Sequence, residues 1–165
     1  MSPTALHQLG QFIVLFQHAE AAVNDLIVMM SGVDEDVVDI LINNLGYAER
    51  VRTAAALMTR LERLAGRPES EWQKSFDALC ERLIKLGSRR NHFVHSRWFH
   101  WRNVEGNLGL LRRNARIQRR TGLVDENEEE LQPEAFEADL ENLTAVLREL
   151  EVFRQQMLDV KYGPS

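Results

Sequence analysis

Apolar residues recur at Leu6, Leu9, Ile13, Phe16, Val23, Ile27 and Met30 in steps of three and four apart from one gap, the spacing that lines one face of a helix. Thr4 stands where an N-cap would, so the pattern predicts a long amphipathic first helix. The gap falls at Glu20, which the rhythm puts inside the apolar stripe, with Asn24 one turn further on and on the same side. A carboxylate at such a position needs a cationic or hydrogen-bonding partner. Gly32 ends this helix, Asp34 is placed to cap a short one through Val37–Ile42, and Asn44 to Gly46 mark a break. A third helix is expected from Tyr47 to Ala65, stopped by Gly66-Arg67-Pro68. Ser70 followed by Gln73 resembles a capping box that opens a fourth. Trp72, Phe76, Leu79, Leu83 and Leu86 give that helix its buried face, Gly87-Ser88 is a point where it can loosen, and Arg90 to His95 continue or end it.

Past His95 the period shortens. Trp98, Phe99 and Trp101, then Val104-Glu105-Gly106-Asn107, then Leu108, Leu110 and Leu111 predict a short β-hairpin. Arg112 to Arg120 and the acidic run Asp125 to Glu130 have little apolar content, and the expectation is an exposed, mobile connection. Pro133 suits the first turn of a last helix carrying Phe136, Leu140, Leu143, Leu147, Leu150 and Phe153. The expected fold is all-α, a bundle of about five helices with a hairpin inserted late. Internal repeats, Gly-rich phosphate loops and βα alternation are all missing from the pattern.

At 165 residues the chain fits a single domain (1–165, with 97–130 as an insertion), long enough to bury roughly 70% of its unfolded surface. Its one cysteine, Cys80, excludes an intrachain disulfide and a multi-cysteine zinc site. The start, Met1-Ser2-Pro3-Thr4, has no basic region or cleavable apolar run. Polar residues break the later apolar stretches, so a cytoplasmic protein with no membrane segment is expected. Net charge is −5, which argues against a generic nucleic-acid binder, but the charge is segregated. Between Arg82 and Arg120 eleven Lys or Arg stand against one acid, Glu105, so this stretch is +10 in a chain that is otherwise −15.

That basic stretch contains Arg90-Asn91-His92-Phe93-Val94-His95. RNA can be cut without a metal when its own 2′-hydroxyl attacks the adjacent phosphate, which leaves a cyclic phosphate and a free 5′-hydroxyl. The reaction needs a proton donor or acceptor, a task for histidine, and fixed positive donors for the phosphoryl oxygens, a task for arginine. Residues i and i+5 on a straight helix lie about 140° apart and about 7.5 Å along the axis. Arg90 and His95 therefore meet only at a helix end or across a symmetric dimer. Asn91 and His95 share a face, which lets Asn91 orient the imidazole or hold a phosphate oxygen. His92, His95 and His100 lack the i, i+4 spacing of familiar zinc motifs, and no carboxylate or cysteine nearby completes a set; no metal or cofactor is expected.

Arg90-Asn91-x-x-x-His95, late in a run of long helices, resembles the R-x4-6-H signature of the HEPN superfamily. The resemblance implies a helical, commonly homodimeric domain in which two motifs line one cleft, and a metal-independent RNase of the kind found in toxin–antitoxin and anti-phage systems. It implies that Arg90 and His95 are catalytic, with Asn91 assisting. In some branches an acidic residue on another helix joins the site, a role for which Glu20 is the candidate. Arg89 also lies within the permitted spacing of His95. RNA would be held by Arg89, His92, Arg97, Arg102, Arg112, Arg113, Arg116, Arg119 and Arg120. Trp98, Phe99 and Trp101 either stack on bases or pack on the core, and the arginine cluster either tracks phosphates or pairs with the acidic run. Two other functions fit: a non-catalytic module of the same fold binding RNA, a nucleotide or a protein, and a helical immunity or antitoxin component whose acidic remainder binds a basic partner.

Overall fold

The computed structural model describes residues 3–117, 120–121 and 124–163. Its elements run α1 (Pro3–Ser31), α2 (Glu35–Ile42), α3 (Tyr47–Leu64), α4 (Glu71–Val94), β1 (Arg97–Arg102), β2 (Leu108–Ile117), β3 (Val124–Leu131) and α5 (Pro133–Tyr162). The five expected helices are present. The strands form one antiparallel sheet in the order β1-β2-β3, so the late insertion is a three-stranded sheet and not a hairpin alone.

The third strand comes from the acidic run, which the sequence pattern had assigned to an exposed connection. In its register with β2, Arg112 stands opposite Glu129, Arg113 opposite Glu128 and Arg116 opposite Asp125. Each segment alone is a like-charge block that resists ordering; side by side they pair Arg112 with Glu129 and Arg113 with Glu128 across the ladder, cross-strand pairs of opposite charge contributing roughly 0.2–1 kcal/mol each. At the β1–β2 turn, Asn103 Oδ1 accepts from the Asn107 amide at 2.8 Å, and Gly106 takes the positive φ of 91° that the reversal needs.

The helix boundaries follow local chemistry. Ser70 Oγ accepts from the Gln73 amide at 3.1 Å, as a capping box requires, but Gln73 Oε1 reaches back to the Glu69 amide and not to that of Ser70. Asp34 occupies the N-cap of α2 without a side-chain cap bond. Gly87 does not loosen α4, which continues to Val94. A Cβ at Gly87 would lie 2.5 Å from the Tyr47 ring, so the glycine makes room for an aromatic side chain.

The chain forms two compact units, one of Met1–Leu15 with Ser88–Leu143 and one of Phe16–Gly87 with Thr144–Ser165. Helices α1, α4 and α5 contribute residues to both. In the second unit Phe16 packs edge-on against Tyr47 (centroids 4.8 Å), and Phe153 against Phe76 (5.1 Å) and Trp72 (6.1 Å). Burial pushes the Cys80 thiol up to about 12, with the Asp77 charge adding to it, so Cys80 is an inert core residue. The first unit is built on Phe93, which meets Phe12 at 5.1 Å, Phe136 at 5.7 Å and Trp98 at 5.8 Å. Such ring pairs add about 0.5–1.5 kcal/mol each beyond their buried area.

By length and composition α1 could cross a membrane, with mean hydropathy 1.4 over its most apolar window. The sequence expectation differs here because the polar positions that break the stripe are too few to lower the average. Phe12, Phe16, Ala19, Val23 and Leu26 on that helix are core residues.

Candidate functional site

The candidate site lies in the first unit, at the end of α4. The helix stops at Val94, and the His95 amide makes the last helical hydrogen bond, to the Asn91 carbonyl at 3.0 Å. Two residues later the chain is a strand. This short exit leaves Asn91, His92 and His95 exposed while Phe93 between them stays buried. Trp98 completes the corner: its indole Nε1 donates to the Phe93 carbonyl at 2.9 Å. Trp98 is therefore a packing residue, and Trp101 is half-buried. Phe99 is 43% exposed, with the Arg113 guanidinium 5.4 Å over its ring.

Asn91, His92 and His95 line a cavity of about 600 Å³ together with Ser88 of α4 and Arg112, Asn114 and Asn127 of the sheet. Arg90 reaches this wall through its neighbour, with Nη1 donating to Asn91 Oδ1 at 3.1 Å. Asn91 thus touches Arg90 by its side chain and His95 by its backbone. Arg90 itself is not among the residues that line the cavity, and its link to His95 runs only through the α4 backbone at Asn91. None of the described lining residues is a carboxylate. Among the described residues, no three His, Cys, Asp or Glu side chains come together as metal ligands would.

Behind the cavity stands a four-residue ion cluster. Arg112 is 4% exposed. Its Nε donates to Glu129 at 2.9 Å, Nη1 to Ser96 Oγ at 3.2 Å and Nη2 to Asn127 Oδ1 at 2.9 Å. The Ser96 hydroxyl in turn donates to the His92 carbonyl. Arg89 Nη1 donates to both Glu129 oxygens at 2.8 Å, and its Nε and Nη2 bind Asp139 at 2.8–3.2 Å. Its guanidinium also lies 4.4 Å over the Phe93 ring. Burial works against the charged form of Glu129, but hydrogen bonds and charge from Arg89 and then Arg112 outweigh it and hold the carboxyl below the usual carboxylate range. For Arg89 burial likewise opposes the charge, and Asp139 and Glu129 more than restore it.

The sequence candidates separate on this geometry. Arg90, Asn91, His92, His95 and Arg112 gather at the cavity or its edge. Arg89 is committed to Glu129 and Asp139, and Arg113 pairs with Glu128. Arg97, Arg102 and Arg120 are exposed. Arg116 stands on β2 opposite Asp125, its side chain outside what the structure describes, and Arg119 lies outside the described residues. Glu20 belongs to the second unit, half-buried and close enough to Tyr47 for its charge to help burial raise that phenol's pKa. Asn114 and Asn127 were not singled out by sequence reasoning. The available signal was their place inside the paired basic and acidic runs, visible only once those runs are aligned as strands.

Comparison with protein-family models, with curated proteins and with solved structures finds no match for this chain. The site is therefore read from its own chemistry.

Proposed function

We propose that this protein is a cytoplasmic, metal-independent endoribonuclease of the HEPN type, acting as a homodimer and cutting RNA by 2′-hydroxyl attack to leave a cyclic phosphate. The observation that carries the reading is the cavity at the end of α4, where His95 and Asn91 share one wall, Arg90 is bound to Asn91 and no carboxylate is among the described lining residues. His95 moves the proton, Arg90 stabilises charge on the phosphoryl oxygens and Asn91 orients them. Arg90 takes this role because its guanidinium binds Asn91 at the cavity wall, whereas Arg89 binds Glu129 and Asp139. A proton-transferring histidine is typically worth about 10²–10⁴-fold in rate. A toxin or defence protein restrained by an antitoxin is the biological setting this chemistry suits.

The test is cleavage of single-stranded RNA by purified protein in excess chelator. Activity that disappears in Arg90→Ala and in His95→Ala supports the reading, and its absence from the native protein sinks it.

One observation favours a second reading. Arg89, Arg112 and Arg113 are paired with acids of the same chain, which shortens any phosphate-tracking groove and suits a non-catalytic module that holds RNA or a nucleotide in the same cavity. RNA bound in the chelator assay without a cyclic-phosphate product would select it.

A further inference from the structure

The hydrogen-bonding character of the cavity is more one-sided than its charge. A guanidinium only donates, so a carboxamide bonded to it must turn its oxygen that way. Arg112 fixes Asn127 in this manner and Arg90 fixes Asn91. Both asparagines line the cavity with an oxygen engaged by a guanidinium, and this fixes their pairs of Nδ2–H donors on the side away from it. Arg112 gives one N–H to Glu129, one to Ser96 and one to Asn127, so each of its Nη atoms keeps a second. Asn114 stands directly opposite Asn127 in the β2–β3 ladder and lines the same space. Asn91 and Asn127 are exposed while Arg112 is buried, so an acceptor entering from solvent meets amide donors backed by a guanidinium, and no carboxylate is among the described residues that line the space.

We infer that Arg112, Asn114 and Asn127 form an oxyanion subsite that takes a phosphate group of the RNA chain, supplied by the sheet beside the Asn91–His95 wall. This rests on RNA being the substrate proposed above, and it places a neighbouring phosphate, distinct from the one being cut, on the sheet. Glu129 and Ser96 act as positioning residues that hold the Arg112 guanidinium in its plane. The acidic strand therefore serves the site: it neutralises the arginines that the fold buries and leaves a donor surface whose amides are aimed by them.

The test uses a short single-stranded 2′-O-methyl RNA, which keeps its phosphates and lacks the attacking hydroxyl, with inorganic phosphate as competitor. Asn127→Asp preserves an oxygen for Arg112 but replaces the two donors by negative charge. It should keep the native melting temperature and lose at least about tenfold in affinity for the probe, the scale of one charge-assisted hydrogen bond. Asn114→Asp, which leaves the Arg112 bonds untouched, should lose a similar factor and serves if the first variant does not fold. Native-like probe binding by a folded variant overturns the subsite, as does a native protein that binds neither probe nor phosphate. Inorganic phosphate bound as tightly as the probe overturns its assignment to the RNA chain. If native protein binds the probe through Asn127 but leaves unmodified RNA uncut, the nuclease falls and the subsite stands. If RNA is cut and Asn127→Asp binds normally, the reverse holds.

Discussion

The end of α4 and the β2–β3 ladder are both rich in cations in the sequence, yet they are opposite environments in the fold. On the ladder Arg112 and Arg113 each stand opposite a carboxylate that they bind, and Arg112 is almost fully buried. At the helix end Asn91, His92 and His95 are exposed around a cavity whose described lining residues include no carboxylate. A run of like charges is thus only a potential binding surface; what it becomes depends on the segment that folds against it. Here the arginine strand mainly supports, and the helix end mainly presents.

The largest effect that sharpens this contrast is on chemistry. His95→Ala should lower RNA cleavage by about 10²–10⁴-fold while leaving thermal stability unchanged, since the side chain is exposed. A comparable fall in melting temperature would make His95 structural and erase the distinction.

The next effect belongs to the ladder. Glu129→Gln strips the shared carboxylate from Arg89 and Arg112 and should cost about 2–3 kcal/mol, seen as a melting temperature lower by roughly 4–12 °C for a chain of this size. Acid should act in the same direction. Because the folded-state pKa of Glu129 is depressed, its contribution is present above the unfolded carboxylate range, near pH 4.3, and is lost as pH falls through the lower folded value. A urea-melt series on native protein and Glu129→Gln should converge below that range. Parallel curves down to strong acid would contradict the assignment.

Gly109→Ala probes the sheet without touching its charges. The added Cβ would lie 2.7 Å from the Leu131 carbonyl oxygen, a backbone atom that cannot step aside, and should cost about 1–3 kcal/mol. The smallest effect is expected at Arg113, whose pair with Glu128 is 43% exposed on each side. Arg113→Gln should change stability by less than about 1 kcal/mol and leave RNA affinity within about twofold; a large loss of affinity would mean that Arg113, too, binds phosphate directly.

The helices were legible because their signals are local. Apolar spacing, the Ser70–Gln73 cap and Pro133 all act within a turn or two of the chain. The end of the fourth helix near His95 was legible for the same reason. The third strand was not, because nothing within residues 112–130 orders either block by itself; the order comes from pairing Arg112 with Glu129 and Arg113 with Glu128. Asn114 and Asn127 were hidden by the same non-local pairing. Gly87 was misread as a weak point because an isolated glycine signals flexibility unless the ring that fills its place is known, and that ring, Tyr47, is forty residues earlier in the chain.

The most direct test of the account is the chemistry of the RNA ends. Native protein in excess chelator should yield fragments with a cyclic phosphate on one side and a 5′-hydroxyl on the other by mass spectrometry, and Arg90→Ala and His95→Ala should yield none. Fragments of that kind from both variants, or intact RNA with the native protein, would contradict it.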